Sequence, residues 1–339
     1  MTDFEQRQVD RPLAETGSTD ASDPVAEFEL IGRYFAALPN FSAGVSLGIG
    51  DDCALLDVPV GQQLAVSIDT LVEGAHFLPT IAADELAHRA VSSCVSDLAA
   101  MGASPAWLTL ALTLPESDPR WLQPFSQGLE QSLQQYGLSL VGGDTSRGHR
   151  TLSLQVHGLV PTGQALTRRG AKPGDGIWVS GTLGDAMAGL DQLQHAPEPD
   201  PYLLRRFYRP TARIELGQAL RGIASSALDI SDGLLADLNH LLKADQLGAL
   251  IEFDKVPLSE AMLAHYGLPQ ALGWALGGGE DFELCFTVPS QHEAILTERL
   301  ATLDVNCCRV GRITAEPGLF GQSADGQLRP LAAAGYRHF

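Results

Sequence analysis

Lysine is almost missing from this chain of 339 residues: Lys172, Lys243 and Lys255 are all it has. Acids outnumber bases 41 to 22, and the formal net charge is −19. Polyphosphate backbones and anionic lipids repel so acidic a protein, which argues against nucleic acid or a membrane surface as its main partner. Any phosphate it binds must have its charge cancelled by something other than lysine, and divalent cations are the obvious means. CxxC spacing is also absent. Cys53, Cys94, Cys285 and the adjacent Cys307 and Cys308 suit neither a zinc knuckle nor a disulfide between neighbours, and they fit free thiols in a reducing cytoplasm. The most apolar window, residues 98–114, is broken by Gly102, Ser104 and Pro105, so no membrane span is expected. Early acids without an apolar core give no signal peptide. The Walker A pattern, the HRD and DFG pair of protein kinases and GxSxG do not occur, which removes three common routes to phosphate or acyl chemistry.

What is present is enough hydrophobic sequence, 45%, for two cores of ordinary size. Residues 1–24 are polar and rich in Thr, Ser, Asp and Gly, and they predict a disordered tail. A first domain over 25–161 and a second over 162–339 are expected, with the boundary in the Gly-, Arg- and Thr-rich stretch 161–173. Phe28, Leu30, Ile31, Tyr34 and Phe35 mark a short amphipathic helix. Helical patterns over 84–101, 121–136, 211–224 and 291–303 alternate with strand patterns over 53–58, 63–68, 107–114, 138–141, 152–160, 176–180, 226–230, 282–288 and 308–313. Such intermingling predicts an α/β or α+β architecture in two domains.

The chain is organised around Leu228-Asp229-Ile230-Ser231-Asp232-Gly233-Leu234, where an apolar strand meets a leucine-rich helix. Ser231 or Asp232 is placed to cap that helix, and Leu234, Leu235, Leu238, Leu241 and Leu242 recur at helical spacing. The same grammar, an apolar run ending in small residues and acid, recurs at Asp51 and Asp52, Asp69, Asp144, and Glu280 with Asp281. Aspartate and glycine favour turns and caps, so each stretch taken alone reads as structural. Asp97 does not fit that reading, because it falls inside a helix among Val95, Leu98, Ala99 and Met101, where an uncompensated carboxylate is costly. Hard cations such as Mg²⁺ take such oxygens, one or two carboxylates at a time, together with substrate phosphates. Gly181 to Asp185 offers a possible anion cradle at a helix start. Arg147, Arg150, Arg168 and Arg169 offer clamps for a polyphosphate. No nucleophile or general base stands out.

In these fragments the chain resembles the thiamine-monophosphate kinases, within the superfamily of aminoimidazole ribonucleotide synthetase and selenophosphate synthetase. The likeness rests on GIGDDCALL (48–56), SIDTLVEGAHF (67–77), SDLAAMGA (96–103), GGDTSRG (142–148), LTRRGAKPGD (166–175), LDISDGL (228–234), GGGEDFELCF (277–286) and GYRHF (335–339). It implies a two-domain α/β (α+β) fold whose N-terminal domain contributes strands to a β-barrel spanning a homodimer, followed by a C-terminal α/β domain. It implies ATP-dependent phosphorylation of thiamine phosphate with several Mg²⁺ ions. Carried over by motif, Asp52, Ser67, Ile68, Asp69, Asp97, Asp144, Asp229 and Asp232 would hold metal. Gly143, Asp144, Arg168 and Ser231 would contact ATP, and His76, Glu280 and Tyr336 thiamine phosphate. Relatives often have threonine where Ile68 stands, and isoleucine offers only its main-chain oxygen.

Elementary chemistry agrees with that implication. A phosphate monoester is largely ionised at neutral pH, so as an acceptor it needs no general base. The difficulty lies in bringing two anions together. Two other readings of the same residues remain: a sister ATP-using enzyme acting on another small substrate, and a non-enzymatic divalent-metal-binding protein.

Overall fold

The computed structural model describes residues 27–333 and Gly335. The expected tail and Tyr336 lie outside the described residues. The first half of the chain runs α1 (Glu27–Tyr34), β1 (Val45–Leu47), β2 (Leu55–Leu56), β3 (Gln62–Val72), α2 (Ala83–Ala100), β4 (Ser104–Leu114), α3 (Pro119–Tyr136), β5 (Ser139–Arg147) and β6 (Thr151–Pro161). The second half continues with β7 (Gly176–Ser180), α4 (Asp185–His195), α5 (Pro201–Tyr208), α6 (Ile214–Ala219), β8 (Ser226–Ile230), α7 (Leu234–Asp245), β9 (Gly248–Glu252), α8 (Glu260–Gly277), β10 (Glu283–Val288), α9 (Glu293–Leu300), β11 (Cys307–Thr314), β12 (Gly318–Gln322) and β13 (Leu328–Pro330).

Two main sheets result. The first has the order β3-β6-β4-β5, antiparallel except for the β4–β5 pair. Strand alternation on β6 buries Leu152, Leu154 and Val156 and leaves Ser153, Gln155 and His157 half-buried on the other face. Against the apolar face lies α2, burying Leu86, Ala90, Val91, Cys94, Val95 and Leu98 in one cluster with Leu108, Leu110 and Leu112 of β4. The second sheet has the order β13-β12-β9-β11-β7-β10-β8. All five leucines expected to face inward from α7 are buried in its core.

The two halves meet at the end of α2. A Cβ on Gly217 of α6 would stand 2.0 Å from the Ala99 oxygen, so only glycine lets the helices approach this closely. Ala99 and Ala100 share a buried cluster with Leu216, Leu220, Ala227, Leu284 and Phe286, which makes α2 a spindle common to both sheets.

Several expectations are corrected. β3 does not stop before Asp69 but runs to Val72, paired along its whole length with β6. β5 continues through Gly142, Gly143 and Asp144 to Arg147, because β4 pairs with it residue by residue and overrides the glycines. The helix expected over 211–224 is the shorter α6, and α5, α8, β9, β12 and β13 had no clear signal. Neither Ser231 nor Asp232 caps α7: Gly233 holds the cap position at φ 114°, with no side-chain cap bond. The first sheet is open, with β3 and β5 at its edges, and no sheet among the described residues closes into a barrel. Among them, too, no helix is long and apolar enough to cross a membrane.

Candidate functional site

Ser67 and Asp69 point to the α2 side of β3, and Ile68, 62% exposed, points to the other. The Ser67 hydroxyl donates to the Asp97 carboxylate, which fixes the β3 face to α2. Asp229 closes the group from the second sheet, buried near the end of β8. Burial pushes the Asp69 carboxyl up to about 6, and the charges of Asp97 and Glu280 add to the effect. Asp229 is likewise raised, first by burial and then by the charge on Asp97. Three acids from β3, α2 and β8 thus repel one another across a small space, an arrangement that a hard cation would relieve. Among the described residues no three acidic, histidine or cysteine side chains form a metal cage by themselves.

A cavity of about 250 Å³ opens beside this group, lined by Ile68, Asp69, His76, Arg89, Ser231, Asp232 and Glu280 among others. The turn over 231–233 is held by Asp237, whose Oδ2 accepts from the amides of Ser231, Asp232 and Gly233 at 3.1, 3.0 and 3.1 Å. The loop ahead of β10 crosses this turn, and Glu280 N donates to Ser231 O at 2.8 Å. Glu280 takes a left-handed φ of 71°. Its carboxylate pairs with Arg89, whose side chain is 2% exposed. Gly335 lies against the same turn: a Cβ there would come 2.7 Å from Asp232 O.

Asp52 and Asp144 lie elsewhere. Asp144 shares a row of the first sheet with Ala111, Ser153 and Thr70, and so projects to the face opposite Asp69. With Asp52, Gly143, Gln155 and His157 it lines a second cavity, of about 760 Å³. Gly143 is needed there by close approach, since a Cβ would stand 1.9 Å from Leu110 O. Arg168 is exposed after β6 and lines neither cavity. Arg150 is occupied by Glu73 and by the Trp121 ring, 5.1 Å away.

The expected anion cradle is filled by the chain itself. Gly184 N donates to Asp281 Oδ2 at 2.7 Å, at the start of α4. Burial pushes the Asp281 carboxyl up to about 7, against the pull of Arg206 and the α4 amides. An unfolded aspartate titrates near 3.9. Between those values the folded chain binds a proton that the unfolded chain does not, so this stabilisation is full at low pH and lost as pH climbs through about 7. In metal-free buffer, Asp281→Asn is therefore expected to lose less stability than the parent between pH 5 and pH 8. Chemical denaturation at the two pH values checks this, and equal losses in both proteins would contradict it.

Arg89 and Asp237 were not picked out as functional candidates from the sequence. The available signal was a charge inside an otherwise apolar helical pattern, at Arg89 and Asp237, as at Asp97.

Comparison with known proteins adds a family. A model of the AIR synthase related protein N-terminal domain matches residues 50–160, and one of its C-terminal domain matches residues 172–323. The thiamine-monophosphate kinase of Escherichia coli (strain K12) is 51% identical over 318 residues, covering 92% of this chain and 98% of that protein. The crystal structure of thiamine-monophosphate kinase from Stenotrophomonas maltophilia K279a superposes with a TM-score of 0.79 at 41% identity, over 84% of this chain and 92% of that one. That of AaThiL complexed with AMPPCP and TMP gives a TM-score of 0.73 at 34% identity, over 86% and 92%. With both domains matched and identity sustained along nearly the whole length, this chain belongs to the thiamine-monophosphate kinase family of AIR synthase related proteins.

Proposed function

We propose that this chain transfers the terminal phosphoryl group of ATP to thiamine phosphate, giving ADP and thiamine diphosphate. The observation that carries the reading is the full-length likeness to thiamine-monophosphate kinases, one of them complexed with AMPPCP and TMP. In this reading Asp69, Asp97, Asp229 and Asp232, with Ser67 and the Ile68 main chain, hold Mg²⁺ at the smaller cavity. Asp52 and Asp144 hold it at the larger one. Bound there, Mg²⁺ would neutralise phosphate oxygens and favour in-line transfer. Gly143, Asp144, Arg168 and Ser231 contact ATP, whereas His76, Glu280 and Tyr336 contact thiamine phosphate.

The acceptor arrives already ionised, so the chain's task is to bind and orient rather than to remove a proton. Its own residues are suited to that task. Asp237 fixes the turn that carries Ser231 and Asp232, and the bond from Glu280 N to Ser231 O ties the acceptor contacts to it. A homodimer with a shared barrel is part of the reading, supported by β3: an edge strand exposing Leu64, Val66 and Ile68 on one face is a surface that a second copy would cover. A cytoplasmic site of action accords with the free cysteines.

The test is turnover of purified protein with ATP, Mg²⁺ and thiamine phosphate, followed as thiamine diphosphate formed. The reading predicts product that requires all three. ATP consumption with an aminoimidazole precursor, and none with thiamine phosphate, would assign a sister enzyme instead.

A further inference from the structure

Arg89 has no part in the phosphoryl-transfer reading above, yet it borders the same cavity as Glu280 and His76. It lies on α2, 2% exposed, and a guanidinium so desolvated is costly unless its edges are matched. Nη1 donates to Phe207 O at 2.5 Å, and the guanidinium stacks 4.2 Å from the Phe207 ring. Nη2 donates to Glu280 Oε2 and reaches His76 O at 3.5 Å. One side chain therefore joins the end of α5, the turn after β3 and the loop ahead of β10. The last two carry the assigned thiamine phosphate contacts. Glu280 also sits in a left-handed conformation, which a non-glycine residue keeps when its surroundings hold it there.

We propose that Arg89 is a positioning residue for thiamine phosphate, acting through Glu280 and the His76 main chain. The assignment rests on the reading of the smaller cavity as the thiamine phosphate site. Thiamine phosphate carries a cationic thiazolium ring, for which a carboxylate is the natural partner. By taking Oε2, Arg89 fixes the plane of that carboxylate and leaves Oε1 to the ligand. A planar fork does this where an ammonium does not, because it engages two main-chain oxygens and the acid together.

Steady-state kinetics on the parent, Arg89→Met, Glu280→Gln and the double variant test the proposal. Arg89→Met is expected to raise KM for thiamine phosphate about tenfold or more, with KM for ATP changed by less than about twofold. The double variant is expected to be no worse than the poorer single, since the two residues act in series. Arg89→Lys should recover part of the loss, and it replaces Arg89→Met in the cycle if the methionine variant does not fold. Effects that multiply in the double variant, an unchanged KM for thiamine phosphate, or equal rises in both KM values would overturn the proposal. A parent enzyme inactive on thiamine phosphate would overturn the functional reading and this assignment with it. Additive effects in an active enzyme would remove the role of Arg89 alone.

Discussion

Asp97→Asn is expected to fold normally and to lose turnover by on the order of 10³-fold, the usual scale for removing one preorganised charge from a phosphoryl or acyl transfer site. The side chain projects from the last turn of α2 into a space shared with Asp69 and Asp229. Its charge helps to raise both neighbouring carboxyls, so the folded chain bears an electrostatic cost there. Asparagine removes the charge and still accepts from the Ser67 hydroxyl. In metal-free buffer the variant should melt at or above the parent temperature, the signature of a residue kept for function at the expense of stability. A purely structural Asp97 would behave in the opposite way, with stability lost and turnover per folded molecule kept. Thermal melts and turnover on the same preparation separate the two, and parent-like turnover would remove Asp97 from the site.

The largest expected loss of stability belongs to Glu283→Ala. Glu283 is fully buried at the start of β10. It accepts from Arg213 at 2.6 and 2.7 Å, from Arg206 at 3.0 Å and from the Ser180 hydroxyl at 2.5 Å. Burial alone would raise its carboxyl, but the Arg213 bonds and the two guanidinium charges outweigh that and hold it below the ordinary range. Truncation leaves two largely buried guanidinium groups without their acid. Breaking a buried pair in this way costs about 3–5 kcal/mol. Urea denaturation should show a fall of that size, and a change below about 1 kcal/mol would mean that water or Asp185, 3.6 Å from Arg206, takes over the neutralisation.

Much of this was legible in residue patterns. Period-two alternation gave β6, and helical spacing gave α2 and the buried face of α7, because there local propensity and tertiary packing ask for the same residues. Asp97 stood out in the sequence since a carboxylate inside an apolar helical stripe has no local explanation. The face on which each strand acid projects was not legible. Asp69 and Asp144 both follow apolar strand-like runs, yet the register of β3, β6, β4 and β5 sends them to opposite sides of one sheet. Register is a non-local property, fixed by partners far away in the chain. Occupancy of helix starts was hidden for the same reason: the amides at the start of α4 looked free to bind an anion, but Asp281 arrives from about a hundred residues further on, as the 97-residue separation from Gly184 shows. Short elements such as β12 and β13 carry too few residues for a period to emerge.

The claim on which the account depends is that acids from both halves of the chain gather cations around the substrates' phosphates. Anomalous diffraction from crystals grown with Mn²⁺, a non-hydrolysable ATP analogue and thiamine phosphate tests it directly. Peaks are predicted among the carboxylates of Asp69, Asp97 and Asp229, with phosphate oxygens completing the coordination. Both ligands bound with no anomalous density at those three side chains would contradict it.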